Sequence, residues 1–64
     1  MCPSDKAKEL GAKEIRGGIN WTWAFGFTKE KAQEFVKWLD ENEYDYRGVY
    51  PPSGQKTGYD IRYR

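Results

Sequence analysis

The sequence contains no histidine and a single cysteine, Cys2, which removes the common routes to metal and acid–base chemistry. A structural zinc site draws its four ligands mainly from Cys and His, and a disulfide within the chain needs a second thiol. Histidine is also the side chain whose unperturbed pKa lies near neutrality. We therefore expect no metal, no cofactor and no catalysis, and the sequence predicts a binding protein.

Long apolar segments are also missing. No apolar run approaches the ~20 residues that cross a bilayer, and no signal-peptide segment follows Met1. One free cysteine without an export signal predicts a cytoplasmic location and no membrane partner. The net charge of +1, from eleven basic and ten acidic residues, is not typical of a protein with strong attraction for nucleic acid.

What the chain does contain is aromatic residues: three Trp, five Tyr and three Phe among 64 residues. We expect one small domain, with residues 1–11 as a short helix or a frayed arm. A domain of this size buries only about 60% of its unfolded surface, so an aromatic-rich core has to compensate. Self-association would bury more surface. From its size alone, an accessory protein of a phage or mobile element is one expectation.

The clearest pattern is the segment INWTWAFGF at 19–27, which alternates large apolar residues with small or polar ones. Period two over nine residues predicts a strand with one buried face. The predicted buried residues are Ile19, Trp21, Trp23, Phe25 and Phe27. Residues 12–16 could form a further strand through a turn at Arg16, Gly17 and Gly18, which would set Ile15 opposite Ile19. The pattern does not decide whether this additional strand forms.

Helical spacing replaces the alternation over 28–43. Thr28 is a favourable N-cap, and one apolar stripe follows at i, i+3, i+4 and i+7, formed by Ala32, Phe35, Val36 and Leu39. Trp38 flanks this stripe. The spacing predicts an amphipathic helix that covers one face of the sheet.

The closing segment contains Tyr-Asp-x-Arg twice, at 44–47 and 59–62. Two antiparallel strands explain both copies if Tyr46 faces Tyr63 and Arg47 faces Arg62. The tyrosines then point inward, and the Asp and Arg residues point outward with opposite charges as neighbours. A slip of one residue would reverse the two faces.

Together these patterns predict an α+β fold with helix 28–43 between two parallel strands and strand 59–64 inserted between them. The expected strand order is 19–27, then 59–64, then 44–50, with one face under the helix. This split β-α-β arrangement resembles half of a ferredoxin-like fold, a resemblance of architecture alone.

Two candidate binding sites follow. The first is the open face of the sheet, opposite the helix, with candidate residues Arg47, Arg62, Arg64, Asp45, Asp60 and Thr22. The second is the loop between the last two strands, with candidate residues Ser53, Gly54, Gln55, Lys56 and Thr57. The GQKTG segment of that loop does not match the phosphate-loop pattern and does not lead into a helix.

Two functions remain. The first is a non-catalytic protein-interaction module that also self-associates, through a flat face where the small residues Thr22, Ala24 and Gly26 lie beside arginines and aspartates. The second is binding of a nucleic-acid backbone by Arg47, Arg62 and Arg64, with the 51–58 loop. Stacking on bases needs rings on the same exposed face as the basic groups. The alternation predicts that rings and arginines lie on opposite faces, which favours the protein-interaction module.

Overall fold

The computed structural model describes residues 1–47 and 58–64. Its elements, in chain order, are α1 (Pro3–Glu9), β1 (Glu14–Gly17), β2 (Thr22–Phe27), α2 (Lys29–Glu41), β3 (Tyr46–Arg47) and β4 (Tyr59–Tyr63). The predicted α+β class is confirmed. Residues 48–50 of the predicted strand 44–50 lie outside the described residues.

The four strands form one sheet in the order β1-β2-β4-β3, and every neighbouring pair is antiparallel. β4 lies between β2 and β3, as predicted for the last strand. The order differs from the prediction in one detail, because residues 14–17 do form the additional strand that the sequence left open. β1 is therefore one edge of the sheet and β3 is the other.

The register predicted for the last hairpin is confirmed where the structure describes it. Tyr46 is opposite Tyr63, and Arg47 is opposite Arg62. The Arg64 N–H donates to the Asp45 carbonyl oxygen at 3.1 Å, which extends the pairing by one residue. Ile61 and Tyr63 are buried, so this strand faces the way its alternation predicts.

The first hairpin has a different register from the predicted one. Ile15 is opposite Ala24, and the Gly18 N–H donates to the Trp21 carbonyl oxygen at 2.7 Å. The turn is therefore formed by Ile19 and Asn20, not by the glycines. The prediction that Ile15 faces a buried Ile19 is wrong, since the Ile19 side chain is 100% exposed.

β2 presents the opposite face to the core from the one predicted. Ala24 is fully buried and pairs with the buried Ile61, whereas Trp23 and Phe25 are only half-buried. The register shifts between Ala24 and Phe27, where Gly26 has a φ of 86°. This bulge breaks the period of two, so that Ala24 and Phe27 both face the core.

Both helices pack on the same side of the sheet. The Thr28 hydroxyl caps α2 by accepting from the Lys31 N–H at 3.2 Å, and the predicted apolar stripe contributes its buried members to the core. Phe35 lies between Phe27 and Tyr63, with ring centroids 5.2 and 5.4 Å away. The aromatic core is thus confirmed.

α1 is an integral part of this core. Ala7 is 0% exposed and Leu10 is 6% exposed. Of the two alternatives expected for this segment, a short helix or a frayed arm, the structure has the short helix. Ser4 does not cap it; its hydroxyl hydrogen-bonds the Tyr63 hydroxyl at 2.9 Å. Within residues 1–47 and 58–64, neither helix has the length and apolar character needed to cross a membrane.

Candidate functional site

The register of the sheet places one row of side chains across all four strands on the face away from the helices. Trp23 of β2 is opposite Arg16 of β1 on one side and Arg62 of β4 on the other, and Arg62 is opposite Arg47 of β3. Directly opposed residues point to the same face. The row is therefore arginine, tryptophan, arginine, arginine.

We call this surface the ring–arginine face. Its members are Arg16, Trp21, Trp23, Phe25, Arg47, Arg62 and Arg64. Alternation over residues 21–25 brings the three rings to one side, and the registers of β1, β4 and β3 place the arginines beside them. The bulge between Ala24 and Phe27 lets Phe27 face the core while these three rings face outward.

Three arginines converge on the indole of Trp21. The guanidinium carbons of Arg64, Arg62 and Arg47 lie 4.4, 5.4 and 5.7 Å from the ring centroid. Each is within the reach of a cation–π interaction, and the ring holds three like charges close together. Arg64 also pairs with a carboxylate, with its Nε 3.3 Å from Asp45 Oδ2. The cluster is a local concentration of positive charge.

A shallow cleft adjoins this cluster, and its volume is about 430 Å³. Its lining residues are Arg16, Gly17, Trp23, Phe25 and Asp60. The rings of Trp23 and Phe25 are nearly parallel, with centroids 5.8 Å apart, and the Arg62 guanidinium lies 5.3 Å from the Trp23 ring. The Asp60 carboxylate accepts from the Gly26 N–H at 3.4 Å, which links β4 to the bulge. A planar group could lie flat on this pair of rings.

The charge of the ring–arginine face is mixed, with an excess of positive charge. Its four arginines are accompanied by three carboxylates, Glu14, Asp45 and Asp60, and Arg16 forms an ion pair with Glu14. These ion pairs are largely exposed, so solvent and salt weaken them. An anionic ligand would compete with the carboxylates for the arginines.

Most of the predicted face residues do come together. Arg47, Arg62, Arg64, Asp45 and Asp60 lie on the ring–arginine face. Thr22 does not, because it is opposite the inward-facing Tyr63. The candidate loop residues, from Ser53 to Thr57, lie outside the described residues.

The sequence patterns did not predict the rings Trp21, Trp23 and Phe25 as members of this site. The predicted separation of rings from arginines is wrong, and so is the small-residue face expected at Thr22, Ala24 and Gly26. One signal could have revealed this: a glycine inside a strand, at Gly26, is typical of a bulge, and a bulge reverses which residues face the core.

The role of the ring–arginine face has to be inferred from its own geometry. In the part of the chain that the structure describes, no three His, Cys, Asp or Glu side chains are grouped so that they could hold a metal ion. No protein-family model, curated protein or solved structure matches this chain.

Proposed function

We propose that the protein binds single-stranded nucleic acid on the ring–arginine face. The observation that carries this proposal is the convergence of Arg47, Arg62 and Arg64 on Trp21 within 5.7 Å. Three guanidiniums so close repel one another, and a phosphate placed among them would relieve that repulsion while accepting their N–H donors.

A single strand suits this face better than a duplex does. Unpaired bases expose their ring faces and can stack on Trp23 and Phe25, whereas a duplex hides those faces within its own stack. The cation cluster lies beside the two rings, so phosphate contacts and base stacking can occur together. Because every base has a π-face, this arrangement predicts little sequence preference.

The net charge of the chain limits the expected affinity. At +1 overall, long-range attraction is weak, so binding depends on close contacts. Three phosphate contacts to a single strand predict a slope of about −2 when log K is plotted against log salt concentration. Each base stacked on an aromatic ring contributes about 1–3 kcal/mol.

The proposal is tested by titrating the protein with short oligonucleotides and measuring fluorescence anisotropy and tryptophan quenching at several salt concentrations. The Trp38→Phe background confines the quenching signal to Trp21 and Trp23. We expect binding to homopolymeric single strands and weaker binding to the matching duplex. Trp23→Ala should weaken single-strand binding by about 5- to 150-fold, which corresponds to the stacking energy of one base.

A matched pair of variants separates specific contacts from net charge. Arg62→Gln and Lys37→Gln remove one positive charge each, but Lys37 is exposed on α2, on the far side of the sheet. Only Arg62→Gln should reduce affinity strongly and lower the salt slope by about 0.7. Equal effects of the two variants, or no single-strand binding at low salt, would contradict the proposal.

The same face supports a second candidate, a protein partner. Carboxylates beside arginines allow electrostatic complementarity with a protein surface, and Trp and Arg residues are typical of interface hot spots. Asp45→Asn distinguishes the two functions, because it removes a negative charge beside Arg64. It should strengthen binding of a polyanion and weaken binding of a protein partner that uses Asp45.

A further inference from the structure

The outer edge of β1 has backbone groups directed away from the sheet. Among the strands of residues 1–47 and 58–64, β1 pairs only with β2, and the closing bond of that hairpin runs from Gly18 to Trp21. Hydrogen-bonding residues alternate along an antiparallel strand, so Arg16, opposite Trp23, points its N–H and C=O toward β2. Ile15 therefore directs its N–H and C=O outward, and no strand in residues 1–47 or 58–64 pairs with them.

We propose that the β1 strands of two copies pair edge to edge around a two-fold axis at Ile15. In this register Ile15 is opposite Ile15 of the second copy, and the two residues exchange both backbone hydrogen bonds. Two-fold symmetry requires an antiparallel, self-complementary contact, and a pairing centred on an outward-pointing residue meets that requirement.

The side chains beside Ile15 are complementary in this register. Glu14 is opposite Arg16 of the second copy, and Arg16 is opposite Glu14. Within one chain these two side chains already form an exposed ion pair, and the dimer would convert two such pairs into a four-charge network. Ile15 is half-buried beside the core, and the second Ile15 would cover its exposed side.

Charged residues on an edge strand usually discourage pairing. In β1, Glu14 and Arg16 are placed so that an antiparallel copy sets each charge opposite one of the other sign. A one-residue slip would separate these opposite charges and would turn Ile15 away from its partner. The interface is short, so we expect a weak dimer that forms in the micromolar range. Its eight-stranded sheet would place the two ring–arginine faces on one side, with the two Trp23 positions roughly 16 Å apart at the usual strand spacing and rise per residue.

Sedimentation velocity over a concentration series, with a reducing agent to prevent disulfides through the exposed Cys2, tests the dimer. Wild type should dimerise reversibly. Glu14→Arg would set arginine against arginine across the axis, and Arg16→Glu would set glutamate against glutamate. Each variant alone should dimerise roughly tenfold more weakly than wild type. An equimolar mixture of the two variants should recover a heterodimer, because every cross-strand pair is then opposite in charge.

Recovery in the mixture distinguishes this interface from a simple loss of folding, and far-UV circular dichroism of each variant checks its fold. A wild type that stays monomeric at every concentration would overturn the proposal. So would two folded variants that dimerise as strongly as wild type, or a mixture that does not associate. None of these measurements depends on nucleic-acid binding, so this inference and the proposed function can fail separately.

Discussion

Glu43 ends α2 in a backbone conformation that side chains with a Cβ avoid. Its φ is 64°, and the Tyr44 N–H donates to the Leu39 carbonyl oxygen at 2.9 Å, while the Glu43 N–H donates to Asp40. These two bonds are those of a Schellman motif, whose left-handed position is usually glycine. The chain therefore stores a small amount of strain at one residue to turn from α2 toward β3.

Replacing this glutamate should release the strain. A left-handed conformation costs an L-residue about 1–2 kcal/mol, and glycine adds about 0.5–1 kcal/mol of unfolded-state entropy. We expect Glu43→Gly to raise the free energy of unfolding by about 0.5–1 kcal/mol, measured by urea denaturation. Lys37→Gly, exposed within the same helix, is the control and should lower it by about 1 kcal/mol. A destabilised Glu43→Gly would contradict this account of the helix end.

At the scale of elements, the contact between the start of β4 and the bulge of β2 sets which side chains of β2 face the core. Gly58 lies so close to Gly26 that a Cβ added at Gly58 would be 2.8 Å from the Gly26 Cα. The Gly26 Cα belongs to the backbone, and the added Cβ would be bonded directly to the backbone of residue 58, so neither atom could move away easily. The close approach keeps the bulge, and hence the outward position of the rings, in place.

We expect Gly58→Ala to lower the free energy of unfolding by about 1–3 kcal/mol, the usual cost of overpacking. Gly17→Ala is the matched control, because a Cβ at Gly17 meets no atom within 4 Å, and its effect should stay within about 0.5 kcal/mol. Urea denaturation at low protein concentration measures both. Equal stability of the two variants would show that the bulge does not depend on this contact.

At the scale of the whole molecule, Tyr63 connects the sheet, α2 and α1. Its ring meets Phe35 edge to face at 5.4 Å, and its hydroxyl bonds Ser4. Burial raises the pKa of the Tyr63 hydroxyl above its ordinary value of 10.0, the Ser4 hydrogen bond lowers it, and nearby Cys2 adds a smaller rise. The folded chain thus holds this proton more tightly than the unfolded chain does.

The raised pKa of Tyr63 makes the free energy of unfolding depend on pH, and the direction of the shift fixes the direction of that dependence. The contribution of Tyr63 to stability is fully present below the unfolded pKa, near 10, and is lost as pH rises through the folded pKa. Tyr63→Phe should cost about 1 kcal/mol at neutral pH, for the lost hydrogen bond. The free energies of unfolding of wild type and variant should then converge as the pH is raised above 10. Urea denaturation across that range measures this, and parallel curves would contradict it.

Much of the fold could be predicted from local chemistry. The N-cap at Thr28 and the spacing of Ala32, Phe35 and Leu39 determine α2, because helix capping and periodicity act within a few residues. The repeated Tyr-Asp-x-Arg predicts the pairing of β3 and β4, because a one-residue slip would expose the tyrosines and bury Asp and Arg. The arginines of the candidate site were predictable for the same reason.

Only the tertiary structure determines which face of β2 points toward the core. The alternation of 19–27 is compatible with either face, since period two specifies which residues share a side but not which side is buried. The bulge at Gly26, which Gly58 approaches from a distant part of the chain, lets Ala24 and Phe27 both join the core with Phe35, Leu39, Ile61 and Tyr63. The remaining rings, Trp21, Trp23 and Phe25, then lie outside beside the arginines, and that juxtaposition is the candidate site.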